Sequence, residues 1–150
     1  MCLWADTKDP FKSRCKPLKF DEKGYVICWK IYRSYLPEDY HKKRRILYPL
    51  YQFSGLVGQG WVRSGRKVKA GFGSDINKSS HIIIYKGIHV YTSIISARRE
   101  LNNLSYLTSD LVLVPVRCHK SDLVAMDKEY AQAVFKKVFI EKEDYKKAIK

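Results

Sequence analysis

The stretch "GYVICWKIYRSY", residues 24–35, decides the fold class. It is β-branched and aromatic almost throughout, and its side chains divide by twos: Val26, Cys28, Lys30 and Tyr32 fall on one face, Tyr25, Ile27, Trp29, Ile31 and Arg33 on the other. A long strand with two differently composed faces is expected, ended by Pro37. Working outward, "HIIIYKGIHVYTS" (81–93) is a second β-rich passage, read either as a tight hairpin at Lys86-Gly87 or as one strand with a glycine bulge. "DLVLVPVRC" (110–118) is a third strand, whose Pro115 asks for an edge or a bulge because proline donates nothing to a ladder. "AVFKKVFI" (133–140) alternates as a fourth.

Between these strands one segment has helical spacing. Ile94, Ala97, Leu101 and Leu104 form a stripe that leaves Arg98, Arg99 and Glu100 outward, with Ser93 placed to cap it. "EKEDYKKAIK" (141–150) predicts a short terminal helix with Glu143 and Lys147 as an i, i+4 pair. Many strands and few helices, with no linker or repeat, predict a single α+β domain over residues 1–150. Its expected form is a curved, mostly antiparallel sheet packed on one internal helix, with a short C-terminal helix. Residues 1–23 read as an extended segment anchored by Trp4, Phe11 and Phe20.

Charge is the main functional signal. The chain carries 29 Lys and Arg against 15 Asp and Glu, a formal +14, and that self-repulsion is relieved by an acidic partner. From Tyr40 to Ser74 no acid occurs, whereas Lys42, Lys43, Arg44, Arg45, Arg63, Arg66, Lys67 and Lys69 do, along with six of the eight glycines. Residues 40–74 are therefore expected to form a basic Gly-rich hairpin or loop that neutralises the phosphates of nucleic acid or another acidic macromolecule. Tyr51, Trp61 and Phe72 are candidates for base stacking there, though small β domains more often use such rings as core, and core is the expectation adopted.

Specific nucleotide loops are not supported. "GWVRSGRK" lacks the lysine-hydroxyl pair of a P-loop, and "GLVGQG" lacks dinucleotide spacing and a βαβ setting. His41, His81, His89 and His119 have no metal spacing, so neither metal nor other cofactor is expected. His89, Tyr91 and Ser93 share one strand face, a polar stripe that lines a pocket or serves as a buried histidine and a helix cap. Cys2, Cys15, Cys28 and Cys118 lie far apart and read as free thiols of a reducing compartment. No apolar run approaches the roughly 20 residues that span a bilayer, so a cytoplasmic protein without membrane contact is expected.

Two resemblances accompany these features. Arg33, then Tyr91-Thr92-Ser93, then Glu141-Lys142-Glu143 is similar in order to the ADP-ribosyltransferases. That likeness implies an enzyme in which Arg33 holds the phosphates of a nicotinamide dinucleotide, Thr92 and Ser93 shape the pocket, and Glu143 with Glu141 supports transfer. Tyr91 stands where that family has its first serine, and a surface arginine, a helix cap and a solvated helix start account for the same residues. The chain also resembles small uncharacterised proteins of bacteriophages and gut-bacterial mobile elements. "MCLW", "CWKIYR", "GIHVYTS" with Ala97 beyond it, and "CHKSDLV" carry that likeness, which implies a setting and no mechanism. A third function class, docking on an acidic protein surface, uses the same charge.

Overall fold

The fold was analysed in a computed structural model, which describes residues 3–6, 8–36, 45–50, 57–64, 70–72, 81–84 and 86–150. The elements in chain order are β1 (Leu3–Asp6), β2 (Tyr25–Tyr35), β3 (Ile46–Pro49), β4 (Gly60–Arg63), β5 (Ala70–Phe72), β6 (His81–Ile84) and β7 (Ile88–Tyr91). They continue with α1 (Ile94–Ser105), β8 (Leu111–His119), β9 (Leu123–Met126), β10 (Gln132–Phe135), β11 (Lys137–Ile140) and α2 (Lys142–Ala148). The class is α+β and the pairing is antiparallel. Among the described residues the larger sheet runs β4-β11-β8-β2-β7-β10-β9, with β3 also paired to β2, and a smaller one runs β1-β6-β5.

β2 is the organising strand. It pairs along its length with β8, from Tyr25 opposite His119 to Arg33 opposite Leu111. Its inward face carries Cys28 and Tyr32, which join Val90, Val114, Val116, Cys118, Phe135, Val138 and Ile140 in the main core. Each such aliphatic or aromatic side chain taken from water contributes roughly 1.5–3 kcal/mol, which makes this layer the dominant stabilising term. α2 closes that side with Tyr145, Ala148 and Ile149. Ser34 Oγ donates to the Ala148 carbonyl at 2.9 Å, tying the helix end to β2.

The opposite face of β2 is covered over only part of its length. Ala97, Leu101 and Leu104 of α1 pack on Ile31, Tyr91, Leu111 and Leu113, as the helical stripe predicts, and Arg98 and Arg99 stay exposed. Ser93 stands at the N-cap in extended backbone, but its side chain makes no cap bond. Toward the start of β2 the helix no longer covers the sheet, and Ile27 is 47% exposed.

Four local expectations are corrected. Residues 81–91 are neither a hairpin nor one bulged strand: β6 pairs with β1 in the small sheet and β7 with β10 and β2 in the large one, the chain changing sheets through Gly87 at φ 122°. Residues 133–140 form two strands, because Ala133 and Phe135 point inward at odd positions while Val138 and Ile140 do so at even ones. The phase slips at the adjacent Lys136 and Lys137: Lys136 N–H donates to the Asp122 carbonyl beside β9, while its own carbonyl accepts from Ser64 N–H beside β4. Within the N-terminal segment, where Leu3–Asp6 is a strand, Phe11 is 52% exposed and is not the anchor expected of it. Glu143 pairs with Lys146 rather than Lys147, at 3.0 Å.

Pro115 finds its edge inside a central strand. Among the described residues β11 pairs with β8 only at Phe139 opposite Arg117 before the chain turns into α2, so the proline lies beyond that pairing.

The turn before β2 depends on one glycine. Gly24 has φ +81°, its carbonyl accepts from Lys120 N–H, and a Cβ there would sit 2.8 Å from His119 Nε2. That ring cannot easily retreat: Nδ1 bonds Ser121 Oγ at 2.7 Å and Nε2 the Lys23 carbonyl at 3.1 Å. Gly24→Ala is expected to destabilise the protein by about 1–3 kcal/mol through left-handed strain and this clash. Urea unfolding measures it, and a change within about 0.5 kcal/mol, the size of an ordinary surface substitution, contradicts the turn's role.

Candidate nucleic-acid interface

Where α1 leaves the sheet uncovered, four neighbouring strands present their outward side chains together. Trp61 on β4 stands opposite Phe139 on β11, Phe139 opposite Arg117 on β8, and Arg117 opposite Ile27 on β2. This is one continuous rung across the sheet. Beside it, Arg63 pairs with Lys137 and His119 with Tyr25. The inward partners of these strands, Val62, Val138, Cys118 and Val26, lie in or against the core, so alternation forces the named residues outward.

The contacts along this face are cationic and aromatic. Trp61 and Phe139 meet edge to face, with ring centroids 5.2 Å apart at 73°. The Arg117 guanidinium lies 5.0 Å from the centroids of both Tyr25 and Phe139, and Lys137 Nζ lies 4.5 Å from that of Trp61. Tyr25 in turn meets His119 at 4.8 Å and 66°. Such ring contacts and cation–π pairs are worth roughly 0.5–1.5 kcal/mol each, enough to hold rotamers without burying them. Glu141 Oε1 stands 3.1 Å from Arg117 Nη2 as an ion pair, and Lys137 stands 3.8 Å from Asp122. The face stays open to water, with Trp61 44% exposed.

The basic segment expected from sequence is only partly described. Lys42, Lys43, Arg44, Arg66, Lys67 and Lys69, with Tyr51 among the rings, lie outside the described residues, as does the Phe72 side chain. Arg45 and Arg63 are described and are not brought together. Arg45 precedes β3 at the Tyr35 end of β2, where its Nη1 donates to the Ser34 carbonyl at 2.8 Å and stands 3.8 Å from Asp110. Arg63 lies across from Lys137 at the Tyr25 end. Trp61, expected as core, is instead an outward ring.

The enzyme-like set is also separated. Arg33 is exposed on the outward face of β2, and Ser93 begins α1 on that same side, after Thr92. Glu141 engages Arg117, while Glu143 lies on α2, which packs under the inward face and holds Glu143 against Lys146. Arg33 and Glu143 thus stand on opposite sides of the sheet and are not brought together. The polar stripe resolves into a deeply buried His89 and a Tyr91 in the helix-facing core. Among the described residues no group of side chains is arranged to hold a metal ion, and Cys15, Cys28 and Cys118 are free thiols. The Cys118 thiol, buried beside that of Cys28, is pushed far up by that neighbour and by burial, which disfavours the thiolate a nucleophile needs.

Sequence reasoning missed Tyr25, Arg117, Lys137 and Phe139. The available signal was an arginine in an otherwise apolar strand, "LVLVPVRC", at the same phase as Pro115. Comparison with protein-family models, curated proteins and solved structures gave no match. No helix among the described residues is long and apolar enough to cross a membrane.

Proposed function

We propose that the protein is a nucleic-acid-binding module whose contact surface is the open face of β4, β11, β8 and β2. The observation that carries this reading is the rung Trp61–Phe139–Arg117–Ile27, in which the exposed Trp61 ring and the half-buried Phe139 ring are flanked by Arg63 and Lys137. Exposed aromatics offer base-stacking platforms and cations offer phosphate ligands, and this face combines both on a chain of formal charge +14. Arg66, Lys67 and Lys69 follow Arg63 within six residues of sequence and add to the basic character of that stretch of chain. The likeness to proteins of bacteriophages and mobile elements supplies a setting rich in nucleic acid.

We read the sheet as curved. β10 and β11 are separated by Lys136 alone, yet β7, β2 and β8 lie between them in strand order. Flat, those four spacings measure roughly 19 Å, while two residues of chain reach about 7 Å. On this reading the core fills the concave side and the aromatic rung occupies the convex one.

The test is binding of a labelled random-sequence oligonucleotide by fluorescence anisotropy, at salt between about 50 and 200 mM. Affinity is expected to fall steeply, the logarithmic slope being about −0.7 per phosphate contact on a single strand. Poly-glutamate of equal charge should compete weakly. Equal competition by poly-glutamate, or the absence of binding at low salt, overturns the reading and favours an acidic protein partner in the first case.

A further inference from the structure

We infer that the nucleic acid taken by this face is single-stranded, with Trp61, Phe139 and Tyr25 meeting unpaired bases and Arg117 acting as the positioning residue between the last two. This rests on the nucleic-acid reading above. The rung crosses four strands, a width of roughly 14 Å, which accommodates two or three splayed bases.

Three features select against a duplex. First, the most exposed side chains of the rung are apolar and stand at its two ends, Trp61 at 44% and Ile27 at 47% exposure. Base faces bury such surface favourably, whereas a duplex hides its base faces and would set charged phosphates against it. Second, the side chains of a sheet face are short-reaching. Neither α1 nor any projecting hairpin of the described residues rises from this region to enter a major groove, which admits a helix or a two-stranded ribbon. Third, Glu141 stands on the face within 3.1 Å of Arg117. Its carboxylate repels a phosphate backbone lying flush on the rung and offsets the charge of Arg117. That guanidinium, 5.0 Å from each of Tyr25 and Phe139, therefore serves as a planar spacer more than as a phosphate ligand. The backbone is left to the rim, where Arg63 lies, with Lys137 across from it held more loosely to its carboxylate, 3.8 Å from Asp122, than Arg117 is to Glu141.

The experiment compares a labelled 12-nucleotide single strand with the same strand annealed to its complement, at one salt concentration. The single strand is expected to bind at least about ten-fold more tightly, and Trp61→Ala to weaken it about five- to 150-fold, the range for loss of one stacked base, with the duplex changed by less than about two-fold. Stacking should also quench tryptophan emission in the wild type but not in Trp61→Phe, which keeps a ring and should keep most of the affinity. Arg117→Lys preserves the charge but not the plane, and is expected to lose single-strand affinity with the salt slope unchanged. Thermal melts confirm that each variant is folded. A duplex bound as tightly as the single strand, with Trp61→Ala affecting both alike or neither, overturns the single-strand inference and leaves nucleic-acid binding standing. Failure to bind either form overturns both.

Discussion

Between about pH 6.5 and pH 3 the folded protein should lose roughly 3–5 kcal/mol of stability through His89 alone. This histidine is 5% exposed on β7, and neither ring nitrogen has a hydrogen-bond partner. It stands opposite Val134, which packs beneath the small sheet with Leu3, Ala5 and Ile84. Burial, reinforced by the charge of Lys30, holds its pKa at about 3, well below the usual 6.5. Lys30 Nζ donates to the His89 carbonyl at 2.9 Å, so protonation of the ring would place a second cation beside the first.

The sign follows from proton counting. Below pH 6.5 the unfolded chain takes a proton that the folded chain refuses until about pH 3, so unfolding binds protons and stability falls with pH across that window. Above pH 6.5 the contribution is fully present. His89→Leu removes the titrating group and two unsatisfied nitrogens, so at pH 7.5 it should be neutral or stabilising, and in acid it should flatten the loss. Depressed carboxylates such as Asp6, which accepts from Lys8 and Asp9 N–H, also weaken the fold in acid. The difference between wild type and variant isolates the histidine. Urea unfolding at pH 7.5, 5.5 and 4 reads it, and parallel pH profiles for the two proteins contradict the assignment.

The larger effect on binding is expected from Trp61→Ala with Phe139→Ala. The two rings touch, at 5.2 Å between centroids, so their losses will not simply add. Single-strand affinity should fall about a hundred-fold, a range set by one to two stacked bases. Because no phosphate ligand is removed, the dependence on salt should keep its slope. Reversing Arg66, Lys67 and Lys69 to Glu should do the opposite, reducing the slope by about 2 if all three neutralise phosphates, and weakening binding most at low salt. Anisotropy titrations over a salt series separate the two mechanisms. A ring variant that changes only the slope, or a charge variant that leaves it intact, assigns the contacts wrongly.

The elements that were legible in the sequence are those with unbroken periodicity. β2 and β8 run through nine or more residues with one face in the main core and the other partly under α1, and α1 keeps its stripe from Ala97 to Leu104 against that second face. Legibility failed where the chain changes partners without a conventional turn. Nothing local distinguishes Ile84 and Ile88 as members of separate sheets, and only the inward phase of Phe135 against Val138 betrays the break at Lys136. The interface was obscured for a related reason. Tyr25, Trp61, Arg117 and Phe139 are spread over 115 positions of sequence, and only strand register aligns them. Trp61 in particular reads as core by composition. Its exposure follows from Val62 and Val138 taking the inward phase, a choice that the short "GWVR" strand does not declare alone.

The central claim, that the outward face of β4, β11, β8 and β2 is the binding surface, is met most directly by a heteronuclear NMR titration of the labelled protein with a short single strand. The result expected is a saturable shift of the Trp61 indole Nε1–H and the Arg117 Nε–H, together with the amides of Tyr25, Ile27 and Phe139. Shifts confined to residues 40–45 and 64–74, with those side chains unmoved, would contradict it.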